Sequence, residues 1–316
     1  MLNFNQLRAF HQAAKHMNFT VASKKLFISQ PAVTAHIKQL EDCSRLKLFK
    51  KRGRKIYLTD EGKALYDYTH KIFEYEKKIE NLIEDLKELK RGMLRLGTSK
   101  SYARYFMPLL ITRFREVYPH IKIYLDEGSS LDIIHSLLDF RNEMAVIAMV
   151  EDNPDISFIP FSREEVVLIL SPEHPLAAKK SISPRDLANE PLIAQEKGSG
   201  TRKLINALFD DHGISPEVLM ETSNAEFMKQ VVQRGDGISL IVKEAASVEL
   251  KEKKLVTVPI EGRRIFLDVS IAYLKDQHLS PSAQAFLDVL LTLVPKEKQG
   301  QGIRTIIDRM LSNWKY

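Results

Sequence analysis

The sequence predicts an α/β protein built from an N-terminal winged helix-turn-helix, one long helix and a two-lobed, doubly wound α/β domain. Three observations predict this architecture. Two short capped helices with a tight turn stand near the N-terminus, an apolar heptad pattern follows them, and strands alternate with helices through the remainder of the 316 residues. Chains of this length often exceed one hydrophobic core, which agrees with separate domains.

The first element is a pair of short helices separated by a three-residue turn. We expect Thr20 to cap a helix over residues 21–26, and Ser29 to cap a second helix. The first turn of the second helix tolerates Pro31, because the first N–H groups of a helix lack partners anyway. Its buried stripe follows the i, i+4, i+7 spacing and consists of Val33, Ile37 and Leu40. The opposite face carries short polar and basic side chains that suit a DNA groove.

Positive charge is concentrated at the same end of the chain. Residues 1–60 carry 12 Lys and Arg against three acids, a net charge of +9, whereas residues 92–316 carry 28 bases and 30 acids, a net charge of −2. Residues 61–91 contribute the remaining −1 to the total of +6. A local excess of this kind indicates a phosphate-binding surface at one end and leaves the other residues for a different task.

A long amphipathic helix is predicted next, with Thr59 as its N-cap and acidic residues in its first turn. Apolar residues recur at alternating steps of three and four, at Leu65, Tyr68, Ile72, Tyr75, Ile79, Leu82, Leu86 and Leu89. This heptad seam predicts dimerisation through residues 60–90, and the alternative is a helix packed on its own domain. Gly92 is expected to take the left-handed cap that ends the helix.

From residue 93 onward, strands and helices alternate. The expected strands are 93–99, 121–128, 145–150, 166–170, 238–242 and 267–274, and the expected helices are 101–119, 131–140, 201–213 and 225–235. This order predicts a mostly parallel sheet with helices on both faces, arranged in two lobes. Open α/β folds bind ligands beyond the carboxyl ends of their strands, so we expect a site there.

At the N-terminal end the chain resembles the LysR-type transcriptional regulators. The resemblance rests on FNQLRAFHQAAKHMNFTVASKKL, SQPAVTAHIKQLE, the Leu48-Phe49 pair and RGRKIYLTDEG, and the general layout continues to about residue 294. One departure is Ser44-Arg45, which stands where the family usually has Leu-Gly. Because that Gly permits a turn with positive φ, the sequence leaves the geometry between the recognition helix and the wing open.

The resemblance implies a domain organisation. It places a winged helix-turn-helix in residues 1–58, a dimerising linker helix in 59–91 and a type II periplasmic-binding-protein-like effector domain in 92–294. Within that domain, lobe I comprises 92–162 and 268–294, and lobe II comprises 163–267. Residues 295–316 form a tail beyond the usual family end, where Ile303, Ile306, Ile307, Met310 and Leu311 predict an amphipathic helix. This helix either docks on a neighbouring molecule or covers a lobe.

DNA contacts are predicted on the second helix and on the basic hairpin after it. Gln30, Pro31 and Thr34 are expected at base edges, because Gln pairs with adenine and Thr or Pro contacts a thymine methyl group. Lys38 and the hairpin side chains are expected on phosphates or in the minor groove, and the hairpin set is Lys50, Lys51, Arg52, Arg54 and Lys55. The alternative for all of them is a solvated helix face.

Effector contacts are predicted in loops that precede helices, where free N–H groups attract anions and hydroxyl or basic side chains add donors. The predicted residues are Thr98, Ser99, Lys100, Ser101, Ser129, Ser199, Thr201, Arg202, Ser223 and Asn224. Together they predict a hydroxyl-rich, mildly positive cleft for a small carboxylate or inorganic anion. The alternative is that these side chains are ordinary helix caps and turns.

The resemblance implies a transcriptional regulator that binds pseudo-palindromic promoter DNA as a dimer of dimers and responds to a small, anionic metabolite. Its partners would be double-stranded DNA, the effector, other copies of itself and RNA polymerase, with no cofactor. The alternative function is an architectural DNA-binding protein whose C-terminal lobes mediate assembly without sensing a ligand.

Other classes of protein fit poorly. A catalytic role for Cys43 with His11 and His36 lacks a third orienting group, and the histidines show no metal-ligand spacing, so neither an enzyme nor a metal site is expected. No apolar run approaches the ~20 residues needed to span a bilayer. The start of the chain lacks the apolar core of a signal peptide. We therefore expect a cytoplasmic location and no membrane association.

Overall fold

The computed structural model describes residues 2–53, 55–262, 264–293, 302, 303, 305 and 306. The chain divides into two compact units, Met1–Lys87 and Glu88–Tyr316. The predicted tail positions Ile307, Met310 and Leu311 lie outside the described residues. No helix in the described stretches is long and apolar enough to cross a bilayer.

The N-terminal unit is a winged helix-turn-helix followed by one long helix. Its elements are α1 (Phe4–His16), α2 (Phe19–Leu26), α3 (Gln30–Ser44), β1 (Phe49–Arg52), β2 (Lys55–Leu58) and α4 (Asp60–Lys87). The predicted stripe on α3 is confirmed, because Val33, Ile37 and Leu40 are all buried. These side chains pack against α1, so the opposite face of α3 is left to solvent.

The helix caps agree with the sequence at one position and differ at another. Ser29 caps α3 as predicted, and its hydroxyl accepts a hydrogen bond from the N–H of Ala32 at 3.3 Å. The prediction that Thr20 caps α2 was wrong. Asn18 is the cap, with its side-chain oxygen accepting from the N–H groups of Thr20 at 2.8 Å and Val21 at 3.1 Å. The Asn amide oxygen reaches two orphan donors of the first turn.

Helix α4 begins as predicted but ends differently. The hydroxyl of Thr59 accepts a hydrogen bond from the N–H of Gly62 at 2.9 Å, which confirms Thr59 as the N-cap. The prediction that Gly92 takes the left-handed conformation at the end of this helix was wrong, because Leu89 takes it with φ 58°. Gly92 instead opens a strand, where an added Cβ would lie 2.5 Å from the hydroxyl of Ser282. The glycine is therefore needed for close approach.

One face of α4 packs on α1 around a buried histidine. The His11 side chain is 4 % exposed, and its ring lies 5.3 Å from that of Tyr66, 4.9 Å from that of Phe73 and 5.9 Å from that of His70. Burial first, and then the nearby positive or titratable groups with His70 foremost, lower the pKa of His11 to about 4. The neutral imidazole is therefore the form that the folded unit holds at neutral pH.

The heptad seam lies on a different face of α4 and is exposed. Its exposed apolar members, which range from 37 % to 70 % exposed, are Tyr68, Ile72, Tyr75, Ile79, Leu82 and Leu86. Leu65 is half-buried against the α1 core. The alternative that this seam packs on its own domain therefore does not describe the protein between residues 68 and 86.

The predicted strands and helices of the C-terminal unit occur in the predicted order, but the strand expected at 166–170 begins at residue 156. The strands at 192–195, 218–222 and 256–257 and the helices at 247–251 and 281–293 were not predicted. The elements of this unit are β3 (Gly92–Ser99), α5 (Lys100–Tyr105), α6 (Met107–Val117), β4 (Ile121–Gly128), α7 (Ser130–Leu138), β5 (Met144–Ala148), β6 (Ile156–Leu170), β7 (Leu192–Gln195), α8 (Gly200–Asp210), β8 (Val218–Thr222), α9 (Ala225–Gln233), β9 (Ser239–Val242), α10 (Ser247–Lys251), β10 (Val256–Thr257), β11 (Ile265–Leu274) and α11 (Pro281–Leu293). The predicted single helix over 101–119 is two helices, which break at Phe106 before Pro108 enters the first turn of α6.

The expectation of a mostly parallel sheet was wrong for the main sheet. Its strand order is β10-β6-β11-β5-β3-β4, with β9 also paired to β6. Strands β3, β4 and β5 are parallel to one another, but β11 runs antiparallel to both β5 and β6. The β6–β11 pair extends from Ile156↔Leu274 to Val166↔Ile265. The lobe boundaries expected at 162/163 and 267/268 both fall inside this strand pair.

The His11 environment generates a pH prediction. Because the unfolded chain has the ordinary His pKa of about 6.5 and the folded unit about 4, the unfolded state binds more protons between these values. The stability of the helix-turn-helix should therefore be constant above pH ~6.5, fall as the pH drops towards ~4, and level off below that. His11→Phe keeps an aromatic ring but cannot titrate, so it should flatten this dependence.

Hydrogen exchange of the α1 amides at pH 7 and pH 5 measures the effect in the full chain. The wild type should lose protection at pH 5 relative to pH 7 by more than the His11→Phe variant does. His120→Phe is the control, since His120 is exposed and belongs to the other unit. An equal pH dependence in the wild type and His11→Phe would contradict the assignment.

Candidate functional site

The predicted base-contacting residues share the exposed face of α3. Gln30, Pro31, Thr34 and Lys38 are all exposed, on the side of the helix away from the buried stripe. The Thr34 hydroxyl donates to the backbone oxygen of Gln30 at 3.1 Å, which fixes its rotamer while leaving the methyl group free to contact a base. About two and a half turns of helix therefore present polar, apolar and basic groups together.

The basic hairpin is a two-stranded antiparallel wing. Lys50 pairs with Tyr57, Lys51 with Ile56 and Arg52 with Lys55, and the four basic side chains are exposed. Arg54, the fifth predicted wing residue, lies outside the described residues. Four exposed cations on a short ribbon make a surface suited to phosphates, which attract Lys and Arg independently of DNA sequence.

The turn between α3 and the wing adopts a positive φ without a glycine. Arg45 caps α3 in the left-handed conformation, with φ 57° and ψ 27°, at the position where the family usually has Gly. This conformation costs a non-glycine residue about 1–2 kcal/mol. The departure noted in the sequence therefore changes the side chain in the turn and keeps a positive φ there.

Glu41 holds the recognition helix and the wing together. One oxygen of its carboxylate accepts hydrogen bonds from the N–H groups of Leu48 at 2.8 Å and Phe49 at 3.3 Å, and the other accepts from the Lys47 ammonium at 3.1 Å. Burial would raise the pKa of Glu41, but these hydrogen bonds outweigh it and lower the pKa. The sequence analysis did not single out Glu41, since a Glu at a helix end has no local pattern that marks such a role.

The C-terminal unit contains a cavity of about 480 Å³ at the carboxyl ends of β3, β4, β7 and β8. Eight of the ten predicted effector residues line it, namely Ser99, Lys100, Ser101, Ser129, Ser199, Thr201, Ser223 and Asn224. The volume falls within the range of small-molecule sites, roughly 300–1,000 Å³. Loops far apart in the sequence thus meet at the edge that open α/β folds use for ligands.

Two predicted residues do not line the cavity. Thr98 is fully buried, and its hydroxyl donates to the backbone oxygen of Val146 at 2.8 Å. Arg202 bonds the backbone oxygen of Gln195 at 2.9 Å and the Glu221 carboxylate at 3.1 Å. Both side chains brace the strands beneath the cavity, and neither is directed at its contents.

The helix starts around the cavity differ in how they are capped. The Ser129 hydroxyl caps α7 by accepting from the N–H of Asp132 at 3.1 Å, and the side chain of Asn224 caps α9. The expected alternative of ordinary capping therefore describes these two residues. Ser99 and Ser199 stand at the same position of α5 and α8 but make no side-chain cap bond. The first-turn N–H groups of α5 and α8 are thus not capped by these hydroxyls.

The cavity contains carboxylates that the sequence analysis did not place there. The Lys100 ammonium lies 2.9 Å and 3.0 Å from the two carboxylate oxygens of Glu196, which opens the second predicted loop. Arg104 lies 3.4 Å from Glu226. Lys100 and Arg104 share the lining with Glu127 and Glu196. The net charge of the cleft is therefore closer to neutral than the mildly positive charge that we expected.

Further hydrogen bonds join the two sides of the cavity. The Tyr105 hydroxyl donates to Glu226 at 2.5 Å, and burial followed by this bond raises the pKa of Tyr105 to about 12. The N–H of Leu131 donates to the backbone oxygen of Gly198 at 3.2 Å. Gly200 brings the start of α8 against β5, where an added Cβ would lie 2.3 Å from that of Ala148. The residues of the two predicted lobes are thus in direct contact around the cavity.

Both units match protein-family models. Residues 4–63 match the model described as bacterial regulatory helix-turn-helix protein, lysR family, and residues 87–294 match the LysR substrate binding domain. The HTH-type transcriptional activator CmpR of Synechocystis sp. is 36 % identical over 286 residues, which cover 90 % of this chain and 94 % of CmpR. The RuBisCO operon transcriptional regulator of Allochromatium vinosum is 31 % identical over 291 residues, covering 92 % and 96 % of the two chains.

A solved structure is also similar to the C-terminal unit. The regulatory domain of CcmR from Synechocystis PCC6803, in complex with 2-PG, is 30 % identical and superposes with a TM-score of 0.60. The match covers 64 % of this chain and 97 % of that domain.

Proposed function

Because the chain belongs to the LysR family of DNA-binding transcriptional regulators, we propose that it controls promoters by binding DNA through α3 and the β1–β2 wing, in response to a small anion in its cavity. The observation that carries the proposal is a division of charge. Exposed cations lie on the N-terminal unit, and cations paired with carboxylates line a cavity in the C-terminal unit. We propose no catalysed reaction for the chain, and we propose that it acts in the cytoplasm.

The effector class follows from the chemistry of the lining. Hydroxyls, the amino group of Lys100 and the first-turn N–H groups of α5 and α8 are donors that suit an oxyanion. A carboxylate, sulfate or phosphate would compete with Glu196 for Lys100. The CcmR regulatory domain, which is similar to this unit, is described in complex with 2-PG, and this supports a small ligand in a domain of this kind.

Competition for Lys100 also suggests how binding is transmitted. Lys100 belongs to the predicted lobe I and Glu196 to lobe II, so an anion that displaces Glu196 breaks an ion pair between the lobes. An effector shifts a conformational equilibrium only as far as it prefers one arrangement over another. We propose that this exchange of Glu196 for the effector supplies the preference.

The exposed seam of α4 supports assembly. Two copies that bury this seam against each other would place two recognition helices about a two-fold axis, and half-sites would lie about one helical turn or a multiple apart. We propose that this dimer pairs again into the dimer of dimers expected from the sequence.

The DNA assignment separates phosphate contacts from base contacts. Replacing Lys51 and Arg52 with Ala should weaken binding to all sequences and reduce the slope of log affinity against log salt by about 0.9 for each phosphate that is no longer neutralised. Thr34→Ser keeps the hydroxyl that bonds Gln30 but removes the methyl group expected at a base edge, so it should alter preference at one base position. Anisotropy titrations on a site selected from a random pool and on its scrambled version measure both effects. Identical effects of the two changes on both DNAs would contradict the division.

The dimer assignment is tested on α4. Ile79→Asp should weaken dimerisation by about a hundredfold or more, because an unpaired carboxylate would be buried in the seam of each copy. Lys77→Asp adds the same group to the same helix outside the seam and should leave the dimer intact. Sedimentation equilibrium over a protein concentration series measures the constant. Equal weakening by both variants would place the interface elsewhere.

The effector assignment is tested by removing the internal competitor. Glu196→Gln should bind inorganic sulfate or phosphate about tenfold tighter than the wild type, since the anion no longer displaces a carboxylate from Lys100. Glu217→Gln removes an exposed carboxylate outside the cavity and should bind as the wild type does. Isothermal titration calorimetry supplies the constants. If neither anion nor a panel of small carboxylates binds any variant, the lobes act as an architectural scaffold.

A further inference from the structure

The tail beyond the matched substrate-binding domain contributes buried residues to the C-terminal unit. Ile303 is fully buried and Ile306 is 2 % exposed, and both belong to the buried cluster that includes Tyr102 and Phe161. The family model ends at residue 294, so these residues lie outside it. Of the two alternatives left by the sequence, the described part of the tail covers its own unit.

A polar contact joins this segment to β6. The backbone N–H of Ile303 donates to a carboxyl oxygen of Glu164 at 3.0 Å. Glu164 is only 2 % exposed, and a carboxyl group is rarely buried unless hydrogen-bond donors compensate for the water that it gives up.

The same carboxyl oxygen contacts the wall of the cavity. The Tyr102 hydroxyl donates to it at 2.7 Å and also contacts the Ser162 hydroxyl. Tyr102 lines the cavity from α5, two residues after Lys100. Burial raises the pKa of Tyr102 well above its ordinary value, and the adjacent Glu164 raises it further, so the hydroxyl remains a donor.

The hydrogen bonds to Glu164 lie on the strands that connect the two predicted lobes. Ser162 pairs with Val269 and Glu164 with Leu267, within the strand pair that crosses from one predicted lobe to the other. A rearrangement of the lobes about β6 and β11 would therefore move the acceptor that both the tail and Tyr102 share. The chain of contacts runs from the cavity to the crossing strands and on to the tail.

We propose that Ile303 contributes to the function of the effector domain. It positions Tyr102 in the cavity wall through Glu164, the acceptor that Ile303 and Tyr102 share. Glu164 and the Ile303 N–H are positioning groups and do not contact the effector. The description of Tyr102 as part of an effector site rests on the proposed function. The positioning of α5 by the tail is independent of that function.

Hydrogen exchange of the full chain without any added anion tests the positioning. Ile303→Pro removes the donating N–H at the first position of a helical turn, where Pro is tolerated. It should speed exchange in α5 about tenfold or more, because removing the donor leaves a buried acceptor short of a partner. Ile303→Val keeps the N–H and the burial and should exchange as the wild type does. The α7 amides serve as the internal reference and should not change.

Variants at the other two groups complete the test and replace Ile303→Pro if that variant fails to fold. Glu164→Gln keeps an acceptor oxygen and should preserve α5 protection, whereas Glu164→Ala should abolish it. Tyr102→Phe should speed exchange of the Ile303 amide, because the coupling is reciprocal. Unchanged α5 exchange in Ile303→Pro and Glu164→Ala, or equal acceleration of α5 and α7, would show that the tail only covers the core. An anion that fails to bind would overturn the proposed function and leave this result standing.

Discussion

The antiparallel pairing of β6 with β11 is the constraint on which the effector domain depends. Ten residues of β11 find partners on β6, and the pair carries residues of both predicted lobes. The ladder is irregular between Val269 and Ser270, but paired residues on both sides of this point join the two predicted lobes in one sheet, so the lobes cannot separate fully without breaking backbone hydrogen bonds.

Charge is used in two different ways along the chain. On the wing, Lys50, Lys51 and Arg52 are exposed, which suits a phosphate surface whose strength depends on salt. In the cavity, Lys100 and Arg104 are held by Glu196 and Glu226. In the function proposed above, an anion would have to displace these carboxylates, so the same ion pairs would govern both its binding and its selectivity.

Local patterns predicted local structure well, with errors that have physical causes. Ser29 and Thr59 cap helices as expected, whereas α2 begins at Phe19, so that Thr20 lies inside its first turn and Asn18 is the cap. Arg45 and Leu89 take left-handed conformations, although this conformation is usually adopted by glycine. Beside Arg45, the Glu41 carboxylate accepts hydrogen bonds from the N–H groups of Leu48 and Phe49, and such bonds are of a size that can offset this strain.

The sequence by itself determined the reading face of α3, the apolar seam of α4 and the hydroxyl-rich loops, because each is a periodicity or cap read within a few residues. Only the tertiary structure decided the antiparallel β6–β11 pair, the partners of Lys100 and Arg104, and the contact of Ile303 with Glu164. These join residues separated by about a hundred positions. Their pairing is set by strand order and by the need to satisfy buried polar groups, and neither leaves a local trace in the sequence.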